Sequence, residues 1–217
     1  MALLEEFEKS GNWLFRHRSY LPLIILVFGF GLFIYENYSY PKTMDMLFNK
    51  YKYEYICLAI SILGLIIRIN AVGYSQPNTS GRNTSEGQVA DEINQTGLYS
   101  LVRHPLYLGN FFMWLGVAML TANPWFILTF ILTYWVYYER IIFAEEQFLR
   151  AKFKEKYTEW VSRTPAFIPR FRKYIKPAYR FNWKKVLRQE KTVFLLFLPF
   201  SIFRFTFNKT IPTTTLF

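Results

Sequence analysis

Two short clusters in this chain combine side chains that handle charge. The first is Arg103-His104-Pro105, set within Gly97-Leu98-Tyr99-Ser100-Leu101-Val102-Arg103-His104-Pro105-Leu106-Tyr107-Leu108-Gly109-Asn110. Arginine brings a fixed cation, histidine a titratable donor or acceptor, and proline a rigid helix start. Together at a helix N-terminus they form a grip for a carboxylate or phosphate. The same residues could simply anchor a helix end among lipid headgroups, and residue types alone weigh the two readings evenly. The second cluster is Glu145-Glu146. Adjacent carboxylates on a helix point about 100° apart, so they are not expected to act as one paired acid and base, and one of them is expected to face inward. A carboxylate close to a bilayer is costly unless paired, which makes it a functional candidate; the plainer alternative is that both are solvated beside the many nearby basic residues.

The elements that must hold these clusters are membrane helices. Of 217 residues, 52% are hydrophobic and 21% aromatic, and the apolar ones come in blocks. Leu21–Tyr35 and Tyr55–Ile67 carry no Asp, Glu, Lys or Arg, and with their flanks each reaches the roughly 20 residues a helix needs to cross about 30 Å of hydrocarbon. The blocks fall at about 19–38, 52–72, 105–121 and 124–143, with a weaker one at 192–207 that either spans at a tilt or lies in the interface. Ala122-Asn123-Pro124 between the third and fourth is a turn signal, so 105–143 is expected to be a tight helical hairpin. The fold class is an all-α integral membrane protein of about five transmembrane helices with a cytoplasmic cofactor cavity. Its organisation is a unit of transmembrane helices and polar loop over 1–95, a core over 96–170, and a basic linker with a C-terminal membrane segment over 171–217.

Charge sets the orientation. Of 26 Lys and Arg, 15 lie between Arg140 and Lys191, which places 139–191 in the cytoplasm by the positive-inside rule. The polar loop over 74–96 then lies on the same side and reads as a cover over a cavity. The N-terminus joins them, in agreement with Lys9, Arg16 and Arg18. The net charge of +11 could suit nucleic acid, but a basic run just beyond membrane spans is better explained by anionic lipid headgroups, so no nucleic-acid partner is expected. Glu5, Glu6 and Glu8 occupy the region a signal peptide would make basic, so the first apolar block reads as a retained span. The single cysteine, Cys57, lies inside a span and excludes an intramolecular disulfide framework or a Cys/His metal cluster, so no metal is expected.

The order and spacing of these motifs resemble the membrane methyltransferase superfamily that includes isoprenylcysteine carboxyl methyltransferases and phospholipid N-methyltransferases. The shared pattern is Gly97 and Tyr99, then Arg103 to Gly109, a helical hairpin, Glu145-Glu146 with Leu149, Phe153 with Tyr157, and Ile168-Pro169. Leu98, Ser100, Lys154 and Trp160 depart from it, where Pro, a basic residue, Gly and Tyr are usual, and what they put in question is the acceptor pocket.

The resemblance implies S-adenosyl-L-methionine as cofactor. Its zwitterionic end needs a carboxylate near the ammonium, for which Glu146 or Glu145 is suited, and a cation or donor near the carboxylate, for which His104 with Arg103 is suited. Tyr99, Tyr107 and Tyr157 are candidates for the adenine and ribose or for lining the sulfonium channel, with Gly97 and Pro105 shaping the site. Arg103 or Arg140 would position an anionic acceptor, and Glu145 would take the proton if the acceptor is an amine. The basic 139–191 segment favours a lipid headgroup, phosphate or amine, as acceptor, with a prenylcysteine carboxylate as the alternative. A non-enzymatic lipid-binding scaffold is the competing class. A membrane reductase is disfavoured because no Gly-x-Gly-x-x-Gly follows a strand.

Overall fold

The computed structural model describes residues 3–18, positions 20, 24, 27–29, 31, 32 and 35, and residues 50–76, 79, 88 and 90–191. Among these, all regular structure is helical: α1 (Leu3–Arg16), α2 (Lys50–Gly73), α3 (Pro105–Met119), α4 (Pro124–Arg163) and a last helix, α5, over 183–191, with 3-10 turns at Gly97–Ser100 and Phe171–Lys173. Of the five expected spans, α2 and the first half of α4 match those at 52–72 and 124–143, and both helices are long and apolar enough to cross a membrane. α3 is apolar but has 15 residues, about 22 Å of rise and so shorter than the hydrocarbon. The block at 19–38 is described only at scattered positions, each helical. The block at 192–207 and most of the polar loop lie outside the described residues.

α2 is largely apolar on all faces from Tyr55 to Gly73, with Arg68 its one charged residue there, the pattern of a helix able to lie among lipid and protein. It packs on α3 through small residues: a side chain on Gly64 would strike the backbone of Gly109 and Met113, and one on Gly116 would strike Ser61 and the Cys57 carbonyl. Two backbones can approach this closely only where side chains are missing. Ser61 Oγ donates to the Met113 carbonyl at 3.0 Å, and Tyr53 Oη to that of Met119 at 2.7 Å.

The expected hairpin turn is present. Ala122 adopts φ of 52°, Asn123 caps α4 by accepting from the Phe126 amide at 3.0 Å, and Pro124 opens the helix, the usual division of labour at a helix start. The hairpin closes on stacked aromatics, with Phe111 over Phe130 and Tyr134 against Tyr138, and with Tyr134 Oη donating to the Tyr107 carbonyl at 2.6 Å.

α4 runs for 40 residues, about 60 Å if straight and twice the hydrocarbon thickness. The part after Phe143 therefore extends beyond the apolar slab, and it bends at Lys154, where φ is 45° and ψ is −117°. Past the bend, Tyr157 and Trp160 pack on Ile93, closing over the Tyr99 turn. α1, which the apolar-block reading does not anticipate, lies against α4: Gly11 sits on the Arg140 carbonyl and Ala144, and Phe7 meets Phe143 edge-on.

Residues 164–182 cross back over the 96–103 loop as a strap. Backbone bonds join Arg103 N to Pro165 O, Arg170 N to Leu101 O, Gly97 N to Ile175 O and Asn182 N to Gly73 O.

Candidate active site

The loop entering α3 is fixed before its side chains are considered. Gly97 starts its turn at φ of 62°, a conformation that a Cβ would penalise. Ser100 Oγ ties back to the Gly97 carbonyl at 2.7 Å and accepts from the Ile175 amide at 3.0 Å. Pro105 then occupies the first position of α3. The result aims Arg103 and His104 at the stretch of α4 that carries Glu145 and Glu146.

His104 is buried with its ring between the two carboxylates. Nε2 donates to Glu146 Oε1 at 3.0 Å, and Nδ1 lies 3.8 Å from Glu145 Oε2. Because the imidazole sits between the two directions, both carboxylates reach it. Arg103 Nε pairs with Glu146 Oε1 at 3.3 Å, and Tyr107, stacked on His104, donates from Oη to Glu145 Oε2 at 2.8 Å.

Burial works to raise the Glu146 pKa, but the hydrogen bond from His104 and the neighbouring cations outweigh it and hold the carboxyl below its ordinary value. Burial, with Glu145 nearby, pushes the Tyr99 phenol well above the usual tyrosine range, and burial beside Glu146 does the same to Tyr157. Both phenols stay protonated and available as donors.

Several of these residues border an open cleft. Arg103, His104, Glu145 and Tyr99 line it, together with Phe15 from α1, Gln88 and Ile93 from the covering loop, and Phe148, Leu149 and Trp160 from α4. Two of its buried polar atoms, Gln88 Oε1 and Arg103 Nε, have no hydrogen bond of good geometry, nor does Tyr157 Oη behind it. Buried groups left in this condition cost free energy unless a ligand or solvent meets them. The cleft thus offers a carboxylate, a cation and an aromatic wall, the donor set that a zwitterionic amino acid carrying a large ring system requires.

Of the residues singled out from sequence, Arg103, His104, Tyr107, Glu145, Glu146 and Tyr157 are gathered around one imidazole. Tyr99 lines the cleft, and Gly97 and Pro105 shape its loop. Arg140 is turned elsewhere, with its guanidinium over the Phe7 ring and Nη1 donating to Ser10 Oγ at 3.2 Å. Sequence reasoning passed over Phe15, Gln88 and Phe148, and singled out Trp160 only as a departure from the family pattern. The available signal for Phe15 was the apolar stripe of Leu4, Phe7, Gly11 and Leu14-Phe15 at helical spacing. It also passed over Arg68, a charge inside an apolar block, which pairs in bidentate fashion with Glu190 of α5 at 2.7 and 2.9 Å and donates to Asn110 Oδ1.

The family described as phospholipid methyltransferase matches residues 54–156. The chain is 36% identical over 113 residues to the protein-S-isoprenylcysteine O-methyltransferase of Saccharomyces cerevisiae, covering 52% of this chain and 47% of that one. It is 26% identical over 163 residues to the cobalt-zinc-cadmium resistance protein CzcN of Cupriavidus metallidurans, covering 75% and 68%. The solved eukaryotic intramembrane Ras methyltransferase, an isoprenylcysteine carboxyl methyltransferase, shares the fold with a TM-score of 0.54 at 24% identity, over 70% of this chain and 53% of that one. The chain spans about half the length of the curated isoprenylcysteine methyltransferases it matches. With the Arg-His-Pro loop, the hairpin and the paired glutamates in place, the chain is similar over this stretch to the membrane methyltransferases that include isoprenylcysteine carboxyl methyltransferases and phospholipid methyltransferases.

Proposed function

We propose that this protein is an S-adenosylmethionine-dependent methyltransferase acting on the carboxylate of a prenylcysteine-type acceptor that reaches the site from the bilayer. The observation that carries the reading is the His104 ring held between Glu145 and Glu146 at the wall of the cleft, with Arg103 beside it.

The cofactor supplies an electrophilic methyl group on a sulfonium, so the protein needs to align and to exclude water rather than to form covalent bonds. Glu145, which lines the cleft, receives the α-ammonium. Arg103 and His104 receive the α-carboxylate, and Glu146 orients both from behind. Tyr99, Phe148 and Trp160 provide aromatic faces for the adenine, and Tyr157 adds a donor. An ionised carboxylate acceptor needs no general base, which suits a site whose two glutamates are already committed to neighbours. Arg140, held against α1, is given no part in this scheme. The active site faces the cytoplasm, on the side of the basic 139–191 segment.

The lipid headgroup that charge alone favours as acceptor is the second reading. The phospholipid methyltransferase match supports it, whereas the curated isoprenylcysteine relatives support the carboxylate. Full-length protein in membranes, incubated with methyl-labelled S-adenosylmethionine, a prenylated cysteine and mixed phospholipids, decides between them by mass spectrometry of the labelled product. A methyl ester is the expected outcome. Label on a phospholipid headgroup transfers the assignment to the second reading. Absence of cofactor binding by calorimetry would return the chain to the scaffold class.

A further inference from the structure

Residues 168–188 contain eight Lys and Arg and no Asp or Glu. Interleaved with them are exposed apolar side chains: Phe171 is 75% accessible, Trp183 64%, Tyr174 54%, Ile175 50% and Tyr179 47%. In a water-facing linker, this much bare aromatic surface would be unfavourable. Its depth is fixed at both ends. At one end Phe167 stacks on Trp135, in the apolar half of α4, with centroids 5.1 Å apart. At the other, α5 starts beside the end of α2, where Asn182 N bonds to Gly73 O, and runs back until Glu190 meets Arg68, five residues or about 8 Å inside that end. A segment pinned at each end to the apolar part of a membrane helix lies along the membrane boundary between them.

We infer that this strap is a docking surface for an anionic lipid leaflet, its aromatics entering the headgroup region and the exposed Arg172, Lys173, Lys176 and Arg180 meeting lipid phosphates and carboxylates. Aromatic side chains with an apolar body and a polar edge favour that zone, and each basic residue there adds about fivefold to the attraction. A soluble acidic protein would satisfy the cations, but it would leave unexplained why both ends of the strap are fixed at the level of membrane helices. Docking bears on the site loop, because Ile175 accepts from Gly97 N at 2.9 Å and donates to Ser100 Oγ at 3.0 Å, and Ala178 N donates to Thr96 Oγ1 at 3.1 Å. A strap held on the leaflet therefore holds the turn that leads to Arg103. The inference does not depend on the identity of the reaction.

Hydrogen exchange on the full chain in lipid nanodiscs tests it, comparing phosphatidylcholine alone with phosphatidylcholine containing phosphatidylserine. In the anionic discs, amides over 170–182 and the Gly97 amide should exchange at least about tenfold more slowly. High salt should erase the difference. A variant carrying Arg172→Gln, Lys173→Gln, Lys176→Gln and Arg180→Gln should show the faster rate in both discs. Equal rates for the wild type in the two discs overturn the proposal, whatever the variant does. So does equal protection of the strap in neutral discs by a soluble polyanion such as heparin, since the surface would then read charge without a membrane.

Discussion

Replacing Glu146 by Gln keeps the size of the side chain and removes its charge. The native carboxylate accepts from His104 at 3.0 Å and pairs with Arg103 at 3.3 Å, with its side chain 17% exposed. A hydrogen bond to a charged group contributes about 1.5–3 kcal/mol, so cofactor affinity, which draws on the orientation of both cations, should fall roughly ten- to 150-fold. Calorimetric titration of S-adenosylmethionine into the full chain in detergent measures this, with a thermal melt to show that the variant is folded. The pH dependence adds a second signature. Glu146 has a native pKa below its unfolded value, so its contribution is complete above the ordinary carboxylate range and is lost as pH falls through the depressed value. As far as this group is concerned, wild-type binding should therefore hold through the ordinary carboxylate range and weaken only as pH falls below it, whereas the Gln variant lacks that acid limb. A folded Gln variant that binds within about threefold of wild type would refute the orienting role, because no such interaction fits within 0.7 kcal/mol or so.

Lys154→Gly should stabilise the protein by about 1 kcal/mol, since φ of 45° strains any residue with a Cβ; the check is an upward shift of the melting midpoint, and Lys154→Val should lower it. Gly116→Val should drive α2 from α3 through the clash with Ser61 and the Cys57 carbonyl, read as loss of a monodisperse folded peak in detergent. Arg68→Met alone should destabilise by about 3–5 kcal/mol by stranding buried Glu190, while adding Glu190→Met should recover most of the loss. Thermal melts of the two single variants and the double variant measure this directly.

The site was legible where residue type and close spacing carry the chemistry. Arg103-His104-Pro105 and Glu145-Glu146 announce charge handling, and Ala122-Asn123-Pro124 announces the turn that brings their helices together. What could not be read is which way a side chain leaves its helix. Arg140 is as cationic as Arg103, yet the close seat of Gly11 on its carbonyl turns it toward α1. Period-2 and period-3.6 patterns also cannot report pairs made across the whole chain. Glu190 is the one carboxylate in the 171–191 segment, and its partner Arg68 is 122 positions away, so a segment read by composition as a basic linker turns out to dock against α2. α1 escaped because a 14-residue amphipathic helix is too short to register as a membrane block, although its apolar stripe was there to be read.

The bend at Lys154 acquires a second meaning from Arg103. Its guanidinium is ion-paired with Glu146, upstream of the bend, and its amide is hydrogen-bonded to the Pro165 carbonyl, downstream of it. One residue thus spans the elbow of the helix, alongside the Trp160 bond to the Tyr99 carbonyl and the Ile93 contacts that hold the far arm. A carboxylate entering the cleft would compete with Glu146 for that guanidinium, so the residue placed to receive a ligand is also one that ties the two arms of the bent helix together.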